Sequence, residues 1–459
     1  MKNGITLVAL VITIIILLIL AGTAIPMVIN RGGLFKEADN ATVLWNSKLE
    51  EEDQKIDKVW DIVNKEPQMY VPSDIFVALY NDGTLVFSNN ENEIDFSQVE
   101  TYYENIKDYT DEPPWIWNSS IYKVKILNQI KPTTMFKWFS NLFELTEIEN
   151  IEKINTTNVT NMASLFDTCP NITELDLSTF DTRNVTDMSR MFYTFDDYQS
   201  QLDTLVGLNR WDTSKVTNMS SMFQRCKLEE IDVSKFNTRN VTSMYNMFHS
   251  CSNLLELDVS KFDTRNVIEF NGMFTECNKL TYINVSNFNT SSAQNLSGMF
   301  WGCSGLLEIN VSRFNTSNVN NMSYMFVNCS SLMNINISNF DMSKVTDVDG
   351  MFNGCSGLTE IYYPDSATII GERTFSNCTS LENLYIPINV INMRSSSSLS
   401  NFGALNLPFA GCNSSTVLYC GASEKPSGWG IYWNNYNSSG KLQANFGYTR
   451  AQYEAAINE

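Results

Sequence analysis

The chain has 459 residues, 43% of them hydrophobic and 12% aromatic, which excludes a disordered protein. That length suits two or three ordinary domains or one long array with attachments. Lys and Arg number 31 against 51 Asp and Glu, a formal charge of −20, and a field of that sign repels a polyanion and excludes nucleic acid as the main partner.

The first element is apolar. Ile5 to Ile29 contains no charged residue, and at ~1.5 Å per residue a helix over 5–29 is roughly 37 Å long, enough to cross a bilayer. Secretory signals have a shorter apolar run followed by small residues at a cleavage site. Lys2 precedes the span while Arg31 and Lys36 follow it, so charge sets orientation weakly. The large downstream region favours an internal amino terminus. The expectation is a single-pass protein of the cell membrane with its remaining mass extracellular.

Asn30-Arg31-Gly32-Gly33 then punctuates the chain. Trp45, Leu49, Ile56, Val59, Trp60 and Val63 share one helical stripe, which predicts a stalk helix over 31–67. Glu50 to Asp53 occupy adjacent positions that point around such a helix, so they do not converge on a metal. Residues 75–88 alternate around Asn81-Asp82-Gly83 as a hairpin. With the aromatic segment Pro113 to Trp117, they fall in a predicted amino-terminal cap, 68–150.

A repeat follows. Phe192, Phe223, Phe248, Phe274, Phe300, Phe326 and Phe352 step by 31, 25, 26, 26, 26 and 26, with Phe166 and Phe375 extending the series. A fixed period of this length predicts a solenoid, placed at 151–386. In one unit, Val216, Met219, Met222, Phe223 and Cys226 form the inner stripe of a short helix that Thr217 or Asn218 caps, and Ile231 and Val233 alternate as a strand. The fold class is therefore an α/β solenoid, with a parallel sheet on one face and short helices or helical turns on the other. Residues 387–459 are read as a carboxyl-terminal cap and tail, with Trp429, Trp433 and Tyr436 plugging the open end.

The columns carry structural chemistry. Cys226, Cys251, Cys277, Cys303, Cys329 and Cys355 repeat in register, with Cys169 and Cys378 at the ends, and are read as buried free thiols. Cys412 and Cys420 lie outside the column, and a disulfide between them is left open. Phe236, Phe262, Phe288, Phe314 and Phe340 close successive layers, joined by Phe180 and Trp211. Asn184, Asn240, Asn266 and Asn318 form an amide column, so the sequons at Asn158, Asn184 and Asn240 read as ladder residues rather than glycan acceptors.

Units such as Phe262-Asp263-Thr264-Arg265-Asn266-Val267 and Phe314 to Phe326 resemble the 26-residue repeats of BspA-like leucine-rich repeat proteins over about 150–360. Ile370 to Leu381 resembles the related 23-residue repeat. The resemblance implies an exposed, cell-surface binding scaffold. Lys2 to Ile12 resembles the leader of type IV pilin-like proteins, which implies cleavage after Gly4 and methylation of Ile5. Ala9 stands where that family has an acidic residue used in polymerisation, which favours an anchor over a pilus subunit.

No zinc spacing, phosphate-binding loop or nucleophile elbow is present, and the single histidine, His249, sits in a variable slot expected to be exposed. The reading is a non-enzyme with no cofactor and no metal. Outward positions Glu230, Asp232, Glu256, Asp258, Tyr282 and Glu308, continued by Asn284, Asn310 and Asn336, form a candidate binding strip for an extracellular basic protein or a glycan. The membrane, through 5–29, and a pilus or secretion machinery are the other expected partners.

Overall fold

The computed structural model describes residues 74–104, 106, 110–394, 407–430, 432–437 and 440–457, all within the unit Val71–Glu459. Gly4, Ile5, the expected span 5–29 and the stalk 31–67 lie outside the described residues. Among the described residues no helix is long and apolar enough to cross a membrane.

The chain enters through β1 (Phe76–Tyr80) and β2 (Thr84–Ser88), an antiparallel hairpin whose turn has Gly83 at φ 85°. Strand β3 (Val99–Tyr103) pairs with β1 antiparallel, whereas β4 (Lys123–Ile126) and β5 (Glu147–Glu149) continue from β2 in parallel. This sheet, in the order β3-β1-β2-β4-β5, thus passes from hairpin pairing to solenoid pairing at β2. Phe87, Trp115 and Trp138 are fully buried under it against Phe139.

The stripe from Met219 to Cys226 is not a helix, which corrects the sequence reading. Met219, Ser221, Phe223 and Arg225 donate their N–H groups to Ser243, Tyr245, Met247 and His249 carbonyls in the next coil, at 3.1, 2.7, 2.9 and 2.8 Å. A helix would spend those donors within the same segment. Here Ser221 and Arg225 adopt left-handed φ of 54° and 64°, so the chain runs through consecutive turns with every second N–H facing the neighbouring coil. In several places Asn at such a position faces Gly in the next coil: a Cβ on Gly354 would meet Asn328 Oδ1 at 2.1 Å, and one on Gly272 would meet Asn246 Oδ1 at 1.9 Å.

The parallel sheet is also less continuous than the period suggests. Strands β6 (Glu174–Asp176) and β7 (Thr204–Val206) pair near the start. The middle coils keep single bridges, Glu230 to Glu256 and Tyr282 to Glu308. Toward the end, β8 (Glu360–Tyr362), β10 (Asn383–Ile386), β12 (Val417–Cys420) and β13 (Gln443–Phe446) make a four-stranded parallel sheet. Strand β9 (Ile369–Ile370) pairs with β11 (Asn392–Met393) on a second face. The unbroken column of bridges lies elsewhere, through Asn161, Asp187, Asn218, Ser243, Glu269, Asn295, Asn321 and Asp347.

Phenylalanine rings fill the axis. Phe139, Phe166, Phe192, Phe223, Phe248, Phe274, Phe300, Phe326, Phe352, Phe375 and Phe409 stack in sequence, with centroids 5.4 to 5.9 Å apart and interplanar angles of 1° to 27°. This offset geometry is the favoured one for aromatic pairs. The ring stack therefore runs past 386, through Phe409, while Trp429 and Trp433, both buried, pack on each other and on Phe446. A short helix, α1 (Arg450–Ala456), has a capping box between Thr449 and Gln452 and sets Tyr453 against Tyr385 and Tyr419.

Replacing Phe300 by Ala removes one ring from the middle of the stack and is expected to cost about 3–5 kcal/mol. Urea unfolding checks this against Glu256→Gln, an exposed change expected within about 0.5 kcal/mol of the unaltered chain.

Candidate binding surface

Most repeated polar residues are occupied in holding one coil to the next. Thr213 Oγ1 donates to Asn237 O at 3.0 Å and accepts from Asn237 N at 2.8 Å, and Thr264 does the same for Asn289. Met342 lacks the hydroxyl, and Ser366 Oγ of the next coil takes over, accepting from Met342 N and donating to Phe340 O. Asn184 Nδ2 donates to Thr157 O, Asn240 Nδ2 to Ser214 O, Asn266 Nδ2 to Arg239 O and Asn318 Nδ2 to Ser291 O. These side chains are spent on the backbone of the neighbouring coil.

All ten cysteines are free and buried. Each column thiol lies against the carbonyl of a stacked Phe in the preceding coil: Cys226 Sγ on Phe192 O at 3.2 Å, Cys251 on Phe223, Cys277 on Phe248, Cys303 on Phe274, Cys329 on Phe300 and Cys355 on Phe326. Cys412, expected outside the column, belongs to it, with Sγ 3.0 Å from Phe375 O. The signal was Phe409-Ala410-Gly411-Cys412, which repeats the spacing of Phe375 to Cys378.

His249 is half-buried rather than exposed, and its Nδ1 is buried without a hydrogen bond. Desolvation holds its pKa below the usual value. Arg225 beside it pairs with Asp196 at 2.8 Å. No nucleophile is placed against it by the hydrogen bonds of the described residues. Among the described residues no three His, Cys, Asp or Glu side chains converge on a common point. A small space lined by Phe166, Cys169, Phe192 and Leu202 has about 10 Å³, room for no more than a single water.

The candidate strip lies on the surface. Glu230, Asp232, Glu256, Asp258, Tyr282 and Glu308 are all exposed, and the bridges place Glu230 beside Glu256 and Tyr282 beside Glu308. The pairing here is the single bridge between Glu230 and Glu256, so Asp232 and Asp258 lie outside any strand. Asp258 Oδ1 accepts from Ser260 Oγ and N, which holds its carboxyl below the usual range. Asp232 Oδ1 accepts from Ser234 N at 3.1 Å and Ser234 Oγ at 2.7 Å. None of the ion pairs among the described residues takes in Glu230, Glu256 or Glu308.

Sequence reasoning missed the apolar half of this strip. Leu255, Leu307 and Met333 are 48%, 53% and 61% exposed, next to Glu256, Glu308 and Asn334 in the chain. The signal was the doubled apolar pair: Leu254, Leu306 and Leu332 fill the buried column, so the residue after each is surplus to the core.

Stacked rings, inter-coil hydrogen bonds and parallel bridges at a fixed period define a repeat solenoid. The chain belongs to the family described as Mycoplasma protein of unknown function, DUF285, whose model matches 122–206, 201–304 and 277–385. Those stretches run unbroken from 122 to 385, more than half of the chain. No curated protein matches it. Similar solved structures include a leucine rich cell surface protein from Faecalibacterium prausnitzii A2-165, with 13% identity over 85% of this chain and 98% of that one and a TM-score of 0.30. A leucine-rich repeat protein from Bacteroides ovatus ATCC 8483 has 15% identity over 82% and 99%, with a TM-score of 0.34. One from Eubacterium ventriosum ATCC 27560 has 17% over 74% and 94%, with a TM-score of 0.26. Scores this low carry no weight for the site, and the solenoid rests on the chain's own geometry.

The thiol column makes stability depend on pH. Burial pushes Cys251, Cys303, Cys355, Cys412 and Cys420 up to about 12, and the remaining five also upward. Unfolded thiols titrate near ~8.5. The unfolded chain therefore releases these protons first, so the contribution is complete below about pH 8.5 and is lost as pH rises toward the folded values. Urea midpoints should fall steadily between about pH 8 and 11. Rapid alkylation of the native thiols at neutral pH would contradict this picture.

Proposed function

We propose that this protein is a non-catalytic surface scaffold, anchored in the membrane by 5–29, whose repeat array binds an extracellular protein with a basic face. The observation that carries the reading is the strip itself. Glu230, Glu256 and Glu308 stand exposed in coil register beside Leu255, Tyr282 and Leu307. Exposed apolar side chains supply area that gains from leaving water, and the carboxylates select a positive partner and speed encounter. The overall charge of −20 acts in the same direction. Building such a face on a repeat lets it extend coil by coil without disturbing the core.

The full chain should bind basic extracellular-matrix proteins, with affinity that falls as salt rises. Changing Glu256→Gln, Tyr282→Ser and Glu308→Gln together should weaken that binding by roughly tenfold or more and leave the urea midpoint nearly unchanged. Equal binding by the triple variant would remove the strip from the function.

A second reading concerns the anchor. Lys2-Asn3-Gly4-Ile5 favours processing between Gly4 and Ile5, with the array carried by a pilin-like subunit of a filament or secretion machinery. Mass spectrometry of the native amino terminus decides it: a methylated Ile5 terminus supports processing, and an intact Met1 or Lys2 terminus contradicts it.

A further inference from the structure

One early coil is longer than those around it, and its surplus builds an aromatic feature at the surface. The step from Phe192 to Phe223 is 31 residues, against 25 or 26 for the five steps from Phe223 to Phe352. The surplus forms a loop fixed at both ends to the preceding coil: Phe195 N donates to Thr168 Oγ1 at 3.3 Å, and Gln201 N donates to Pro170 O at 2.8 Å. Held this way, Tyr198 reaches back past that coil and stacks on Phe143, with centroids 4.7 Å apart and planes 19° apart. Phe143 contacts Trp117 of the amino-terminal cap at 5.8 Å, and Trp117 lies 6.5 Å from Phe195 at 21°. Four aromatic rings from three separate segments thus form one stepped ribbon.

A clamp that merely fastened the cap would bury these rings. Instead Trp117 is 54% exposed and Tyr198 38%. Trp117 also holds a left-handed backbone, φ 66°, which is unfavourable for a bulky side chain, and its indole is set by the contacts with Phe143 and Phe195. The ribbon is therefore preorganised and still open to solvent.

The ring geometry selects the ligand class. The right-angled corner that would enclose a cation, between Tyr193 and Phe195 at 89°, already has the chain's own Arg190 guanidinium 3.7 Å from the Tyr193 centroid. The two stacked pairs that remain are near parallel and offer flat apolar steps. Glu144 and Asp197, exposed and adjacent in the chain to Phe143 and Tyr198, supply hydroxyl acceptors at the rim and repel anions. We propose that this ribbon binds a neutral saccharide chain, with pyranose C–H faces stacked on Trp117 and Tyr198 and hydroxyls donating to Glu144 and Asp197. The site is separate from the acidic strip and does not depend on it.

Saturation-transfer NMR on the full chain with neutral gluco-, manno- and galacto-configured hexaoses tests this, in a detergent without sugar headgroups. Transfer from one of them is expected, weakened about tenfold or more by Trp117→Ala and by Tyr198→Ala. Tyr198→Phe, which keeps the stack, should retain binding, as should the triple variant of the strip. Near-ultraviolet circular dichroism establishes that each variant is folded. Absence of transfer from all three hexaoses overturns the proposal, as does equal binding by the two alanine variants. Competition by polylysine that displaces the sugar from the same rings assigns the ribbon to cations and also overturns it.

Discussion

The rest of the molecule depends on backbone donors that bond forward to the next coil rather than within their own. Once Met219, Ser221, Phe223 and Arg225 give their N–H groups to residues 243 to 249, each coil is incomplete alone. Met219, Met222 and Phe223, all buried on this segment, are then brought into register with their counterparts in the next coil, and the rings meet at about the inter-coil spacing. Hydrogen bonding and apolar burial thus specify the same stacking, which is the consistency that gives a sequence a single fold.

The columns follow from that constraint. A coil whose backbone bonds lie outside itself leaves turn groups that need side-chain partners, and Thr213, Thr264 and Asn240 supply them at fixed positions. The thiols serve the Phe carbonyls in the same way while filling a small apolar space. Core and ladder together absorb nearly every repeated residue, so residues that fall outside the columns are the ones the fold itself does not account for. Leu255, Leu307, Tyr282 and the loop at 195–201 are of that kind.

The period was legible because the same information is written many times, and one altered unit, such as Met342 for Thr, does not hide it. The local conformation was less legible. Val216, Met219, Met222, Phe223 and Cys226 fit a helical stripe, but a periodic stripe reports which side chains are buried and not where the N–H groups go. The informative residues were the ones between, Ser221, Asn246, Gly272 and Gly298, types that accept turns or positive φ. Phe139 and Phe409 were missed because their coils have Leu142 in place of Cys or lie beyond an unlike stretch. The surface pattern of Glu and Tyr was visible in the sequence, whereas its apolar companions and the ribbon around Trp117 needed the third dimension, since they join residues 117, 143, 195 and 198.

If coils are interchangeable layers, removing one whole period should leave the neighbours able to meet. Deleting residues 275–300 joins Phe274 to Trp301-Gly302-Cys303 in the register of the repeat. The expected result is a folded chain with an unchanged circular dichroism spectrum per residue and one cooperative unfolding transition at modestly lower denaturant. Loss of folded structure on that deletion, with a chain no better behaved than one missing half a period, would contradict the stacked-coil account.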